Sequence, residues 1–360
     1  MHIGIVELCE KNHHSMIYSW IKIANLNKWK ITLFTTVDIF NFVKSELKGL
    51  KYNVVLRDTN NLFFQIKLKN IVKKKKITKL IYLTICDYLF LLFASFKSVG
   101  LGITIHNANL WFDNTKTKKI KYYIRKLIID HLKKQSSFFL VNSLNMKNYV
   151  DKNFPQKKPI HVMPFSLRKN KKNYIKKNDV FTVVYPGSIN YKKRKYQNFI
   201  KLAKTNPRDE FIILGSVTNE KKNYLIYNQL NKVKNISTYN RYLENKEFIQ
   251  IIKKSHILFC DLQTKYQGLG STEIYGKTKD SGITYLMNEF NMPSLLNSDF
   301  FNLPELTDGS LYFKDFEMLK KKYLKIKNKS FYNSTISKII YNTRKLNVFE
   351  FAKQFKIKFQ

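Results

Sequence analysis

The sequence predicts an α/β protein of two parallel-sheet domains that face each other across a cleft. First, short apolar segments of strand length alternate with helical patterns along nearly the whole chain, as in a parallel sheet covered on both faces. Second, a lysine- and asparagine-rich stretch, 168–178, interrupts this alternation as a linker would. Third, the alternation then resumes. We therefore predict domains over 1–167 and 179–346, and a C-terminal helix over 347–360 that crosses back to the first domain.

In the first half, every predicted helix lies between two predicted strands, which is the order of a parallel sheet. The predicted strands are Ile3–Leu8, Trp29–Thr35, Asn53–Leu56, Leu80–Ile85, Gly102–His106, Phe138–Asn142 and Ile160–Met163. The predicted helices are Ser15–Ala24, Asp38–Leu47, Phe64–Lys75, Asp87–Phe96, Lys118–Lys134 and Leu144–Asn153.

The second half repeats this order and ends in helices. Its predicted strands are Val180–Tyr185, Glu210–Leu214, Asn235–Thr238, His256–Cys260, Ser294–Leu296 and Leu311–Phe313. Its predicted helices are Tyr196–Lys204, Lys222–Lys232, Glu244–Lys254, Ile283–Phe290, Phe316–Lys325 and Asn333–Leu346. In open α/β sheets, ligands bind beyond the carboxyl ends of the strands, so two facing sheets predict a ligand in the cleft between them.

The chain is strongly basic, with 65 Lys and Arg against 25 Asp and Glu in 360 residues and a net charge of +40. Such a charge attracts polyanions, including nucleic acid, anionic lipid and phosphorylated ligands. The abundance of Lys, Asn, Ile, Phe and Tyr is also what an AT-rich genome would produce, so the charge has two open explanations. A basic nucleic-acid-binding protein remains one alternative, although no RNA-binding or helix-turn-helix signature supports it.

Cysteine usage and apolar runs favour a cytoplasmic protein. The three cysteines are scattered without C-x-x-C spacing, which argues against a disulfide framework or a zinc site. The longest apolar run, Leu80–Phe96, is short for a bilayer span and contains Asp87, so we interpret it as a strand and a buried helix. The basic helix Lys118–Lys134 carries Tyr122, Tyr123 and Ile124, and we predict that it makes peripheral contact with an anionic membrane; an ordinary basic surface helix is the alternative.

The segment Glu273–Gly282 is the strongest candidate for a phosphate site. It is a polar loop with two lysines and hydroxyl groups between a predicted strand and a predicted helix. A helix N-terminus offers unpaired N–H groups and a partial positive charge to a phosphate. A second basic cluster, Lys192–Lys195, follows the strand and turn that end at Gly187 and Ser188, and it could neutralise a departing phosphate. Solvated charge runs are the simpler alternative for both.

Three polar groups follow strands of the first half. Glu7 and His13 come after the first strand, where a base could deprotonate an acceptor hydroxyl, and His106 ends another strand. Structural or surface roles are the alternative for each. No Asp-x-Asp triplet and no His, Cys or Glu cluster with metal-ligand spacing occurs, so we expect no bound metal. The absence of G-x-G-x-x-G weighs against a dinucleotide dehydrogenase.

Several segments together resemble glycosyltransferases of the GT-B fold, the class with two Rossmann-like domains, and most closely a divergent form of the family 4 enzymes of bacterial polysaccharide synthesis. In the first half, the resemblance rests on Ile103-Thr-Ile-His-Asn107, Phe138–Ser143 and Ile160–Pro164. In the second half, it rests on Val184–Ser188 with Lys192–Lys195, Ile212–Gly215, Tyr239–Tyr242 and Glu273-Ile-Tyr-Gly276, which matches an E-x-F-G motif with Tyr for Phe.

The resemblance implies a metal-independent, retaining enzyme that moves a sugar from a nucleotide-diphosphate donor, its co-substrate, to a glycan or lipid-linked acceptor of surface polysaccharide such as lipopolysaccharide or capsule. It implies that the first half binds the acceptor and the second half the donor, at the inner face of the plasma membrane, with no specific nucleic acid. The implied catalytic residues are Glu273, His106, Glu7 and His13. The implied donor-binding residues are Gly187, Ser188, Lys193, Arg194, Gly215, Tyr239, Arg241, Tyr275, Gly276, Lys277, Lys279, Asp280, Ser281 and Gly282.

The chain departs from the family at the second carboxylate of this motif. The family has a glutamate eight residues after the first, where this chain has Ser281, with Asp280 beside it. Counting back from Pro293 places the same carboxylate at Leu286 instead. We favour a variant in which Lys279–Gly282 contacts the phosphates, and the carboxylate that would bind the donor ribose stays unassigned. A nucleotide-sugar epimerase of the same fold is the alternative enzyme.

Overall fold

The computed structural model describes residues 1–10, 13–85, 96, 99–113, 120–168, 179–268 and 270–359. The prediction of a helix over Asp87–Phe96 and that of a linker over 168–178 fall outside these residues, apart from Phe96 and Arg168. The described residues form two parallel sheets of seven and six strands with helices packed on their faces. The predicted two-domain α/β fold is confirmed.

The first domain is a seven-stranded sheet in the order β3-β2-β1-β4-β5-β6-β7, and all of its pairs are parallel. The strands are β1 His2–Glu7, β2 Lys30–Thr35, β3 Asn53–Leu56, β4 Lys79–Tyr82, β5 Gly100–Ile105, β6 Phe138–Val141 and β7 Ile160–Val162. The helices are α1 His14–Leu26, α2 Val37–Val43, α3 Asn61–Lys74, α4 Ala108–Phe112, α5 Ile120–Gln135 and α6 Leu144–Asn153.

The second domain has the strand order β10-β9-β8-β11-β14-β15, again fully parallel. Its sheet strands are β8 Thr182–Pro186, β9 Glu210–Leu214, β10 Ile236–Ser237, β11 Ile257–Cys260, β14 Ser294–Asn297 and β15 Ser310–Phe313, and β12 Lys265–Gly268 and β13 Ser271–Ile274 form a separate hairpin. The helices are α7 Gln197–Thr205, α8 Lys221–Asn231, α9 Asn245–Lys254, α10 Gly282–Phe290, α11 Phe316–Lys327 and α12 Lys329–Asn342, with 3-10 turns at Pro304–Gly309 and Thr343–Lys345.

Each sheet has an apolar core on both faces because its strands are buried on both sides. The last helix, α13 Val348–Lys358, belongs to a core of the first domain although it follows the second in sequence. Phe355 packs on Trp20 of α1 with ring centroids 4.8 Å apart, and the Asn27 side chain donates to the Ala352 carbonyl at 2.8 Å. The chain therefore begins and ends in the first domain.

The structure differs from the sequence prediction at the polar loop. The first two residues of the loop, Glu273 and Ile274, belong to strand β13 of the hairpin β12–β13, in which Glu273 lies opposite Tyr266. The strands are four residues long, too short to show a clear alternation, and Gly270 in the turn has a φ of 94°. Helix α10 is capped at its N-terminus by Ser281, whose hydroxyl accepts from the Ile283 N–H, and at its C-terminus by Asn291 in the left-handed conformation.

Candidate active site

Two adjoining cavities lie between the carboxyl ends of the two sheets. The first, of about 400 Å³, is the glycine-turn cavity, and its polar wall contains Gly187, Ser188 and Arg194. The second, of about 470 Å³, is the histidine cavity, and its wall contains His13 and His106. Both cavities are lined by the same four residues at their junction, which are Phe165, Ser281, Gly282 and Tyr285. A ligand with two parts could therefore extend from one cavity into the other.

The glycine turn after β8 brings a guanidinium against bare backbone. Gly187 has a φ of 105°, and a Cβ there would lie 1.9 Å from Nη2 of Arg194. A Cβ at Gly215 would lie 2.4 Å from the Gly187 carbonyl carbon, so the β8 and β9 turns also touch. Arg194 Nη1 donates to the Ser188 carbonyl at 2.9 Å, while its buried Nε has no partner among the described residues. This arrangement suits an anion.

The N-terminus of α10 faces the same place. Ser281 and Gly282 line both cavities. Apart from its chain neighbours, no described atom lies within 4 Å of the position that a Cβ on Gly282 would occupy. A ligand can therefore approach the backbone N–H groups of the first turn closely. Together with Arg194, this helix end provides a positive site for a phosphate at the junction of the cavities.

A buried carboxylate and a histidine form a pair at the end of β1. Glu7 is fully buried, and its carboxylate accepts from the backbone N–H groups of Cys9 at 2.9 Å and Glu10 at 3.1 Å. His13 Nδ1 lies 2.8 Å from Glu7 Oε2, and the Thr84 hydroxyl donates to the same oxygen at 2.8 Å. The pair lies beside the histidine cavity, whose wall includes His13 and Thr84.

His106 is held in one tautomer at the end of β5. Its Nε2 donates to the Leu83 carbonyl at 2.7 Å, and its Nδ1 accepts from the Asn142 side-chain amide at 3.0 Å. Its ring stacks on His13 with centroids 4.9 Å apart. Desolvation, with a smaller effect from the His13 charge, lowers the pKa of the His106 imidazole to about 3. His106 is therefore a neutral group at physiological pH.

We expect this buried neutral imidazole to make the protein less stable in mild acid. The folded pKa lies below the ordinary value of 6.5, so the unfolded chain binds more protons as the pH falls from 6.5 toward 3, and folding stability falls with it. Between pH 6.5 and 5.5 the loss should be about 1 kcal/mol. Urea unfolding at both pH values, with His106→Gln as the comparison, checks this. An equal loss in the variant would contradict it.

Glu273 faces the first domain. Its carboxylate accepts from the backbone N–H groups of Asn109 at 3.3 Å and Leu110 at 2.9 Å, at the start of α4. The Ser271 hydroxyl donates to it at 2.8 Å. Glu273 lines neither cavity, so the structure gives it a contact between domains rather than a contact with the cavity space.

The residues after Glu273 continue this domain contact. Lys279 Nζ donates to the Asn107 side chain at 2.7 Å, and the Ser143 hydroxyl donates to Asp280 Oδ1 at 2.8 Å. Tyr285 donates to Asp280 Oδ2 at 2.6 Å. Desolvation raises the pKa of Asp280 and lowers that of Lys279. Both side chains line the histidine cavity, not the glycine-turn cavity.

Half of the other sequence-predicted donor-binding residues line the glycine-turn cavity. Gly187, Ser188, Arg194, Gly215, Ser281 and Gly282 line it, whereas Lys193, Tyr239, Arg241, Tyr275, Gly276 and Lys277 do not. Lys193 Nζ lies 5.2 Å from the Tyr266 ring centroid, and Arg241 pairs with Glu247 on the surface. Tyr242 and Leu243, next to Arg241, line the cavity instead.

Sequence inspection missed several wall residues, among them Thr84, Asn142, Phe165, Tyr285 and Glu289. Thr84 and Asn142 follow apolar strands, a signal that could have identified them. Phe165 lies beyond β7, and nothing in its sequence context marks it.

Within the described ranges, no group of three or more His, Cys, Asp or Glu side chains could hold a metal ion. Cys9 is disulfide-bonded, in contrast to the expectation drawn from cysteine spacing, whereas Cys260 is a free buried thiol. In the part of the chain that the structure covers, no helix has the length and apolar character to span a bilayer.

Comparison with solved structures shows the same architecture over the whole chain. A glycosyltransferase from Rickettsia africae superposes with a TM-score of 0.66 at 12% identity, covering 99% of this chain and 97% of the other. Anabaena HepE, solved with UDP-glucose, gives 0.69 at 11% identity over 100% and 99%. A UDP-GlcNAc 2-epimerase from Neisseria meningitidis, bound to UDP-GlcNAc, gives 0.62 at 14% identity over 99% of both chains. No family model and no curated protein matches by sequence.

Proposed function

We propose that the protein is a glycosyltransferase that moves a sugar from a nucleotide-diphosphate donor to a hydroxyl group of a glycan or lipid-linked acceptor. The observation that carries the proposal is the pair of adjoining cavities that meet at the N-terminus of α10. The glycine-turn cavity supplies Arg194 and helix N–H groups for a diphosphate, and the histidine cavity supplies a base for a hydroxyl. The GT-B architecture, shared with a protein solved with UDP-glucose, supports this assignment.

The remaining walls of the glycine-turn cavity suit a nucleoside. Leu243, Phe248 and Phe290 provide apolar surface for a base. Glu289 is the one carboxylate among the described residues that line this cavity, and it accepts from the Ser166 hydroxyl at 2.7 Å. A carboxylate at this place can accept hydrogen bonds from ribose hydroxyls. Leu286, the position at which counting back from Pro293 places the family's carboxylate, lines the same cavity three residues earlier. We therefore propose that Glu289 supplies the ribose contact.

A nucleotide panel tests the function directly. The melting temperature of the protein is measured with UDP, with other nucleoside diphosphates and with the corresponding nucleotide sugars, at low and at high salt. A saturable shift that persists in high salt, followed by release of nucleoside diphosphate from the matching sugar donor, is the expected result. Binding to any polynucleotide with steep salt dependence, and no shift with nucleoside diphosphates, would instead favour nucleic-acid binding.

The epimerase alternative has its own support, since a UDP-GlcNAc 2-epimerase shares the fold. An epimerase changes the configuration of the sugar, which is still attached to the diphosphate at the end of the reaction, and it needs no acceptor. Chromatography of the incubated nucleotide sugar separates the two functions. A new nucleotide-sugar isomer would contradict the proposal, and net release of nucleoside diphosphate would support it.

We also propose that the protein uses the nucleotide sugar as co-substrate without a metal ion, and that it works at an anionic membrane without crossing it. On α5, Tyr123 is 60% exposed, Ile124 46% and Leu127 53%, so three adjacent apolar side chains face outward. Arg125 of the same helix lines the histidine cavity. Such a helix can rest on a lipid surface and place the cavity near a lipid-linked acceptor in surface polysaccharide synthesis.

The membrane contact predicts a selective loss on mutation. Wild-type protein should sediment with phosphatidylglycerol vesicles and remain in the supernatant with phosphatidylcholine vesicles at low salt, because basic residues add about 1 kcal/mol each near an anionic surface. Leu127→Ser should reduce the bound fraction. Leu324→Ser, at an equally exposed position on α11 (59%), is the control. Equal recovery with both lipids would rule out the contact.

A further inference from the structure

We propose that Arg168 is a positioning residue of the donor site. It joins the C-terminal end of helix α10 to both segments of the chain that connect the two domains. A nucleotide bound at the other end of this helix then stabilises that connection. The inference rests on the proposed binding of a nucleoside diphosphate in the glycine-turn cavity, and it concerns a residue that lines neither cavity.

The chain leaves the first domain and returns to it along two segments that run side by side. The outgoing segment is residues 163–168, which follow β7, and the returning segment is residues 343–347, which precede α13. Arg168 and Asn347 form a parallel bridge, and the Arg168 N–H donates to the Leu346 carbonyl at 3.3 Å. The backbones of the two segments are therefore in direct contact.

The Arg168 side chain joins both segments to α10. Its Nε and Nη2 each donate to the Asn288 carbonyl at 3.2 Å, and Nη2 also donates to the Thr343 hydroxyl. Asn288 lies in the last turn of α10, where backbone carbonyls have no N–H partner within the helix. The guanidinium therefore caps the helix, and its positive charge complements the negative end of the helix dipole.

Two neighbouring hydrogen bonds connect the same parts of the chain. The Asn288 side-chain amide donates to the Leu346 carbonyl, in the returning segment, at 3.3 Å. In the outgoing segment, the Ser166 hydroxyl donates to the Glu289 carboxylate, and Glu289 lines the glycine-turn cavity. Consecutive residues at the end of α10 are thus bonded to the two segments, and one of them belongs to the wall at which we place the ribose.

A buried guanidinium is a costly way to make a purely structural contact. Arg168 is 8% exposed, and desolvation lowers the pKa of its guanidinium. Burial of a charge is unfavourable unless its N–H groups are paired, and an apolar side chain of similar size often stabilises a protein at least as well. The guanidinium differs from an apolar side chain in its rigid fork of donors, which holds the Asn288 carbonyl and the Thr343 hydroxyl in one geometry.

The two ends of α10 have different partners. Ser281 and Gly282, at its N-terminus, line both cavities where we place the diphosphate, and Arg168 holds its C-terminus. Because rigid elements carry coupling between sites, a nucleotide that fixes one end of this nine-residue helix also restricts the other end. Linkage is reciprocal, so a connection that the nucleotide stabilises must strengthen nucleotide binding by the same factor.

Amide hydrogen exchange of the full chain, with and without UDP, tests this coupling. The Leu346 N–H, which donates to the Thr343 carbonyl at 2.8 Å, reports on the returning segment. Saturating UDP should slow its exchange by about 5-fold or more in the wild type, and Arg168→Gln saturated with UDP should lose this slowing. The variant should also bind UDP more weakly by about the same factor. A merely structural role would speed exchange in Arg168→Gln equally with and without UDP.

Thr343→Val is the second variant, and it decides the question if Arg168→Gln does not fold. Valine has nearly the shape of threonine but lacks the hydroxyl that accepts from Arg168, so the slowing by UDP at Leu346 should decrease. Arg344→Gln is the matched control in the same segment. The Arg344 guanidinium lies 4.0 Å from the centroid of the exposed Tyr341 ring, so this variant should keep the wild-type slowing and UDP affinity.

The outcomes separate this inference from the proposed function. If UDP binds and slows exchange at Leu346 equally in the wild type and in the Arg168 and Thr343 variants, then Arg168 does not couple the two sites. Binding of UDP to the wild type without any slowing at Leu346 would also overturn the inference, and both results would leave glycosyl transfer intact. If neither UDP nor any other nucleoside diphosphate binds to the wild type, then the proposed function itself is wrong.

Discussion

Arg194→Gln is expected to weaken the binding of nucleoside diphosphate by about 10- to 100-fold. The guanidinium lies against the glycine turn, and its buried Nε has no partner within the described part of the chain. A phosphate at the turn would supply that acceptor. Loss of one charge-assisted hydrogen bond costs about 1.5–3 kcal/mol, which corresponds to the stated change in affinity. Isothermal titration with UDP measures it.

The basic cluster itself offers the control. Lys192 pairs with Glu220 on the surface, and its side chain is 56% exposed, so Lys192→Gln should leave UDP affinity nearly unchanged. Lys193 lies against the Tyr266 ring, outside the wall of the glycine-turn cavity, and Lys193→Gln should have a smaller effect than Arg194→Gln. If all three variants bind UDP equally, the diphosphate site lies elsewhere.

The sheets could be predicted because their strands are short apolar segments separated by clear helices. Strand β6, Phe138–Val141, for example, is buried throughout and contains no polar residue. The strand order was not predictable in the same way. β1 pairs with β4, and only this pairing brings Thr84 to Glu7. Alternation along the chain says nothing about which strands are neighbours, so Glu7 and His13 could be proposed from the sequence, but their contact with Thr84 could not.

The hairpin β12–β13 and the loop that follows it show a second limit of prediction from the sequence. The segment from Glu273 onward was identified as a phosphate loop from its lysines and its place before a helix. Only its end, Ser281 and Gly282, lines the glycine-turn cavity. The preceding residues bind the first domain, through the side chains of Glu273, Lys279 and Asp280 and also through the backbone, where the Thr278 carbonyl accepts from the Ala108 N–H at 2.8 Å. Contacts made by backbone carbonyls leave no trace in residue type.

Glu273→Gln is expected to lower the turnover rate by about 10²-fold or more while UDP affinity stays nearly the same. Each of the two carboxylate oxygens accepts a hydrogen bond from a backbone N–H group of α4. A glutamine has only one oxygen, so its NH₂ group would face one of these donors and the contact between the domains would weaken. Because Glu273 lines neither cavity, the loss would misplace the first domain and its base relative to the donor. Steady-state rates and UDP titration separate the two effects.

Asp280→Asn is the comparison that decides between the two carboxylates. Asp280 lines the histidine cavity and accepts from the hydroxyl groups of Ser143 and Tyr285. An asparagine can keep both contacts, because its oxygen accepts from one hydroxyl and its NH₂ group donates to the oxygen of the other, whereas a backbone N–H cannot accept. We therefore expect a smaller loss of turnover from Asp280→Asn than from Glu273→Gln. Amide hydrogen exchange at Asn109 and Leu110 should rise in Glu273→Gln alone, since these N–H groups lose their acceptor. If Asp280→Asn abolishes turnover while Glu273→Gln does not, then the carboxylate at the histidine cavity acts on the substrate and the contact at α4 is dispensable.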